Sequence, residues 1–105
     1  VAKFKFEPIS SFWTTVRIVR PDGDVQEFEG QFVYLDDEAW KKCEGLPASE
    51  FLTKHWTGWK GILASDDSEL PWSAEQRDLF LKHSYISNGV LGAYTIARQG
   101  LRAKN

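Results

Sequence analysis

The stretch WTGWKGILASDDSELPW, residues 56–72, decides how the rest of this chain is read. It holds three of the five tryptophans, Trp56, Trp59 and Trp72, together with Gly58, Gly61 and an acidic run. Gly58 and Gly61 tolerate backbone angles that other residues resist, so the chain is expected to turn sharply here. Tryptophan carries a large apolar surface and one N–H that needs a partner, so the same stretch is expected to be buried. Trp59, flanked by both glycines that let the backbone fold close around its ring, is expected to be buried. Residues upstream read first as strands and then as a short helical patch, and residues downstream read as two helices. The stretch is therefore expected to lock an N-terminal half onto a C-terminal half, with Trp56, Gly58, Trp59, Gly61, Pro71 and Trp72 as its structural motif.

Working back toward the N-terminus, residues 1–7 alternate, with Ala2, Phe4 and Phe6 on one side and Lys3, Lys5 and Glu7 on the other. That pattern predicts a short half-buried strand, which Pro8 ends. Residues 12–20 alternate again through Phe12, Thr14, Val16 and Ile18. Pro21-Asp22-Gly23-Asp24 is a turn with a mechanism, since proline presets φ and glycine supplies positive φ. Residues 25–34 return with Phe28, Phe32 and Tyr34 on one face, and Gly30 reads as a bulge. A hairpin results, expected to become a three-stranded antiparallel meander with residues 1–7. Asp36, Asp37 and Glu38 place negative charge at a helix start. Trp40 and Cys43 line the inner face of that short helix, which Gly45 stops. Pro47 suits the first turn of the next helix. Phe51, Leu52, His55, Trp56 and Trp59 recur there at near-helical spacing, with Gly58 ending the helix.

Beyond the central stretch, Ser73 and Gln76 are spaced as a capping box. The helix they open carries Leu79, Phe80 and His83. A last helix is expected from about Ser84, with Ile86, Val90, Ala93 and Ala97 on one stripe and Gly100 as its C-cap. Gly89 and Gly92 weaken a helix intrinsically and make sense where another backbone approaches closely. Gly89, Gly92, Ala93 and Tyr94 are accordingly the candidate surface for self-association or partner contact. Arg98, Arg102 and Lys104 suit a helix C-terminus without any anionic partner. The fold class expected is α+β in a single domain over residues 1–105, with a β-sheet part (1–35) and a mainly helical part (36–105).

Composition narrows the function. The 105 residues are 42% hydrophobic and 27% charged, as in soluble globular proteins, and the net charge of -2 gives no field to hold nucleic acid. Aromatic side chains make up 14% of the chain, but base-stacking platforms need a basic surround that is missing here. No apolar run approaches the roughly 18 residues of a membrane span, and the lysines near Val1 are followed by no apolar signal region. The lone Cys43 excludes an internal disulfide. The sequence has no Met, so the true start is expected slightly upstream.

Sites with chemistry are weakly represented. Asp66, Asp67 and Glu69 lack the ligand register of a calcium loop and read as a solvated turn. Cys43, His55 and His83 show no zinc-ligand spacing. A Cys–His nucleophilic pair has little to recommend it, since Cys43 reads as a small buried hydrophobe. No phosphate-binding loop, dinucleotide fingerprint or nucleophile elbow occurs. No catalytic, cofactor or metal residue is predicted. The aromatic excess points instead to protein–protein binding.

The run Phe51-Leu52, then Trp56-Thr57-Gly58-Trp59-Lys60-Gly61-Ile62, Asp66-Asp67, Leu70-Pro71-Trp72-Ser73, and finally Leu79 and Tyr94, resembles the small tail assembly chaperones of long, non-contractile-tailed bacteriophages and prophages. The likeness covers roughly residues 14–97 and is sharpest over 51–73. The family's loop often has a glycine before the proline, where this chain has Ser68-Glu69, and Trp72 stands where phenylalanine is common. The resemblance implies a non-enzymatic factor that binds the tape measure protein in the host bacterial cytoplasm, keeps it soluble until the tail tube polymerises, and is absent from the virion. It also implies, through the frameshifted longer form that many phages make, contact with tail tube subunits, while self-association is expected from the glycine-marked last helix. No nucleic acid, membrane or cofactor is expected. The alternative is a structural minor tail or connector protein that stays in the particle.

Overall fold

The computed structural model describes residues 1–100, which form an antiparallel three-stranded sheet with helices on one face. Strands β1 (Ser11–Val19) and β2 (Val25–Val33) pair in unbroken register from Ser11–Val33 to Val19–Val25. The turn between them works as its residues require. The Arg20 amide donates to the Asp24 carbonyl, Gly23 takes φ of 89°, and the Asp22 carboxylate accepts from the Asp24 amide.

The third strand corrects one expectation. It is β3 (Trp56–Lys60), paired with β2, while residues 1–7 form no strand. The mainly helical part expected over 36–105 thus contributes a strand to the sheet. Near-helical spacing of Trp56 and Trp59 has a different cause. Trp56 lies opposite Phe32, Gly58 opposite Gln31 and Trp59 opposite Gly30, with a register shift between Gln31 and Phe32. Two residues, Thr57 and Gly58, therefore face the single Gln31. A regular strand sends side chains three apart to opposite faces, but this bulge restores both tryptophans to the inner face. Gly30 marks no break in the β1–β2 pairing; its missing side chain leaves room for the Phe32 ring and Val16.

Of the four described helices, two carry a side-chain N-cap. Asp36 caps α1 (Asp37–Lys41) by accepting from the Ala39 amide, and Gly45, at φ of 87°, turns the chain after it. Pro47 precedes α2 (Ala48–His55), whose last turn passes directly into β3. The Ser73 hydroxyl accepts from the Gln76 amide and starts α3 (Ala74–Phe80). The last helix, α4 (Ser84–Arg98), packs along β1 and α2. Gly100, at φ of 74°, closes it, its amide donating to Ala97. Arg98 has a partner after all. Its guanidinium reaches the Asp37 carboxylate and the Leu35 carbonyl and lies over the Trp40 ring, tying the end of α4 to α1. Arg102 and Lys104 lie outside the described residues.

A single core joins the layers. Val16, Ile18, Phe32, Trp56 and Trp59 from the sheet meet Phe51, Leu52, Leu81, Val90 and Tyr94 from the helical side. Tyr94 is fully buried, with Phe12, Phe32, Trp40 and Phe51 around its ring and its hydroxyl donating to the Val33 carbonyl at 2.9 Å. Burial pushes this phenol from 10.0 up to about 12, with Arg98 pulling the other way. The folded value lies above the unfolded one, so the stabilising contribution is whole below about pH 10 and is lost as pH rises toward about 12. Urea denaturation of Tyr94→Phe across this window is expected to show a smaller alkaline loss than the parent; equal losses would refute the linkage.

Candidate functional site

The central stretch folds back on itself. After β3, Gly61 takes φ of 85° and residues 62–70 form a small hairpin, with Leu63 bridged to Glu69 and the Leu70 amide donating to Ile62. At its tip Asp67 adopts φ of 68°, a conformation aspartate accepts more readily than most residues. The Asp66 carboxylate accepts from both the hydroxyl and the amide of Ser68, which hold it below its ordinary pKa. The hairpin returns the chain so that Pro71 is followed by Trp72 edge-on to Trp59, at 4.8 Å between centroids. Trp59 donates its indole N–H to the Leu70 carbonyl, Trp56 donates to Gly58, and Arg77 donates to the Trp56 carbonyl while lying over Trp72. Every indole N–H of the two buried tryptophans is therefore paired. The motif residues are occupied with one another, which makes them scaffold for what surrounds them.

That scaffold borders a groove of about 660 Å³ at one end of the sheet. Ile18 and Phe28 come from the strands, Ile62 and Leu63 from the small hairpin, and Phe80, Tyr85 and Ile86 from the last two helices. Arg20, Glu27 and Asp67 stand at its edge, so apolar walls carry charges of both signs at the rim. Leu63 is 55% exposed. The lining holds no Cys, His or Lys. A groove of this kind accepts an apolar stripe flanked by polar residues, as an amphipathic helix presents. Five separate segments build it, and no spacing in the sequence announces it.

On α4 the four candidate contact residues separate. Tyr94 belongs to the core, and Gly89 packs against β1: a Cβ there would lie 3.0 Å from the Arg17 carbonyl and 2.7 Å from the Ile18 side chain. Close backbone approach at Gly89 is thus satisfied within the chain. Gly92 has nothing within 4 Å of its Cβ position, and it lines, with Ala93 and Ile96, a shallow groove beside Thr15 and Arg17. The two glycines should respond oppositely to the same change. Gly92→Ala gains helix propensity without a clash and is expected to raise stability by about 0.4–1 kcal/mol. Gly89→Ala forfeits that gain by pressing on β1 and should unfold at lower temperature than Gly92→Ala. The reverse order in a thermal melt would contradict this packing.

The remaining candidates have local roles. His55 stacks on Phe51 and its Nδ1 lies 2.8 Å from the Phe51 carbonyl. His83 precedes α4 and tilts against Tyr85. Cys43 is half-buried against the core and lines a small pocket together with Trp40, Leu46, Phe51 and Leu91. Among the described residues no three His, Cys, Asp or Glu side chains gather as metal ligands. No described helix is long and apolar enough to cross a membrane. No family model, curated protein or solved structure matches the chain.

Proposed function

We propose that this chain is a non-enzymatic assembly factor that holds a long helical partner, as the tail assembly chaperones it resembles hold the tape measure protein. The observation that carries the reading is the apolar groove between Phe28, Leu63 and Ile86 with its mixed-charge rim. A long amphipathic helix without its final surroundings exposes apolar stripes that aggregate. Laying one stripe in such a groove shields it, and many copies on one long target add avidity. The resemblance over residues 51–73 and the exposed apolar side chains point the same way.

Co-expression tests it. A long helical tape-measure-like partner made together with this chain should gain soluble yield and co-purify. Leu63→Asp places a charge on the groove wall at an exposed position, so it should abolish co-purification while leaving the melting curve near that of the parent. Binding should survive moderate salt, because the contact is mainly apolar and salt screens only its charged part. A partner that stays insoluble and unbound beside normally folded chain would end this reading. The structural tail or connector protein would then take its place, and it would be recovered in purified particles.

A further inference from the structure

The rim of the groove between Phe28, Leu63 and Ile86 is uneven in charge. Arg20 supplies its positive charge, and that guanidinium lies 3.4 Å from the Asp22 carboxylate. Glu27 and Asp67 supply its negative charge. Both are exposed, and neither carboxylate has a hydrogen-bond or ion-pair partner among the described residues. The small hairpin over 62–70 adds Asp66 and Glu69 and contains no Lys or Arg. Contacts with Ser68 favour the ionised form of Asp66, so the hairpin keeps its negative field. The helical wall brings Phe80, Tyr85 and Ile86 to the groove, and no charge comes with them. The charge left unmatched at the rim is therefore negative and stands on β2 and the hairpin.

We propose that the helix held in this groove carries lysine or arginine along one flank of its apolar stripe, where it meets β2 and the small hairpin. The inference rests on the groove's taking an amphipathic helix, and it adds which helices are taken. Apolar walls alone accept any stripe of suitable width, because burial is non-directional. The rim discriminates. A basic flank meets Glu27 and Asp67, which have no partner to give up, whereas an acidic flank sets like charges against them. Lysine and arginine also lay their methylene stems on apolar surface while the charged head stays in water, which suits a groove edge. Exposed ion pairs are individually weak, so the rim selects among helices and the walls supply most of the affinity. Asp67 is fixed for this role by its own amide, which donates to the Ala64 carbonyl at 2.9 Å.

Titration of the full chain against two dye-labelled synthetic helices, read by fluorescence anisotropy, tests the proposal. Both helices carry the same leucine stripe; one has lysine along a flank of it and the other has glutamate. The lysine-flanked helix should bind about tenfold tighter at low salt, and the margin should narrow as salt rises. Glu27→Gln with Asp67→Asn should bring the two helices within about twofold of each other. The melting curve of this variant should stay near the parent's, because both positions are exposed and asparagine accepts the φ of 68° at Asp67. Leu63→Asp should abolish binding of the lysine-flanked helix even though it adds negative charge, which locates the contact in the groove. Failure of both helices to bind would end the amphipathic-helix reading and the proposal with it. Equal binding of the two by the parent, or a margin unchanged in the double variant, would overturn the proposal and leave that reading standing. Lysine-flanked binding that survives Leu63→Asp would overturn the proposal too, since charge alone would then hold the helix.

Discussion

Trp56→Ala is expected to lower the unfolding free energy by about 3–5 kcal/mol, the range for deleting a buried large aromatic side chain. Trp56 is fully buried, with Phe28, Phe32, Trp59 and Trp72 around its ring. Truncation removes these contacts and leaves a cavity that the surrounding rings fill poorly, because Phe32, Trp59 and Trp72 are each held by another ring. It also strips the Gly58 carbonyl of its indole donor. A domain of this size is stable by only about 5–15 kcal/mol, so the loss takes a large share of the whole. Trp59→Ala belongs in the same range, since Trp59 is 6% exposed and its N–H holds the returning hairpin at Leu70. Trp13 is the control. It sits on the uncovered sheet face under the Lys60 ammonium and is 42% exposed, so Trp13→Ala should cost less than about 1 kcal/mol. Denaturant midpoints that shift equally for Trp13 and Trp56 would mean that the central stretch does not organise the core.

What the sequence made legible is the part of the fold set by near neighbours. The turn at Pro21-Asp22-Gly23-Asp24, the cap at Ser73 and the positive φ at Gly100 each depend on a few adjacent residues. The antiparallel sheet followed by helices came from the same local signals. Alternation over residues 1–7 shows competence to form a strand, but pairing depends on which edge is free. The edge of β2 goes to Trp56–Lys60 instead. That strand hides behind its own bulge, because two tryptophans three apart mimic a helical face. Distance in sequence hides the rest. Arg98 meets Asp37 across 61 positions, and the groove between Phe28 and Ile86 gathers β1, β2, the small hairpin and two helices. Gly89 was legible as a place of close backbone approach, but whether the other backbone belonged to this chain or a second copy needed the position of β1.

Gly30→Val should destabilise the chain by about 2–3 kcal/mol, although strand propensity alone favours the change. Valine suits a strand better than glycine, and it restricts the unfolded chain, together a gain of about 1 kcal/mol. The backbone raises no objection, because Gly30 does not use positive φ. Space decides the sign. A Cβ at this position would lie 2.9 Å from the Phe32 ring and 3.2 Å from the Val16 side chain, before the two methyl groups of valine are added. Phe32 is fully buried and has Phe12, Tyr94 and Trp56 around it, so its ring has nowhere to swing. Val16 is fully buried too, and Trp59 lies directly opposite on β3. Relief must come from moving β2 itself, which is the central strand and pairs on both sides. Gly30→Ala should fall between the parent and Gly30→Val, since it brings the Cβ clash without the methyl groups. A graded loss in denaturation midpoint from glycine through alanine to valine is the expected result. A valine variant as stable as the parent would show that the ring of Phe32 has room, and that the tight layer between β2 and α4 is looser than its distances imply.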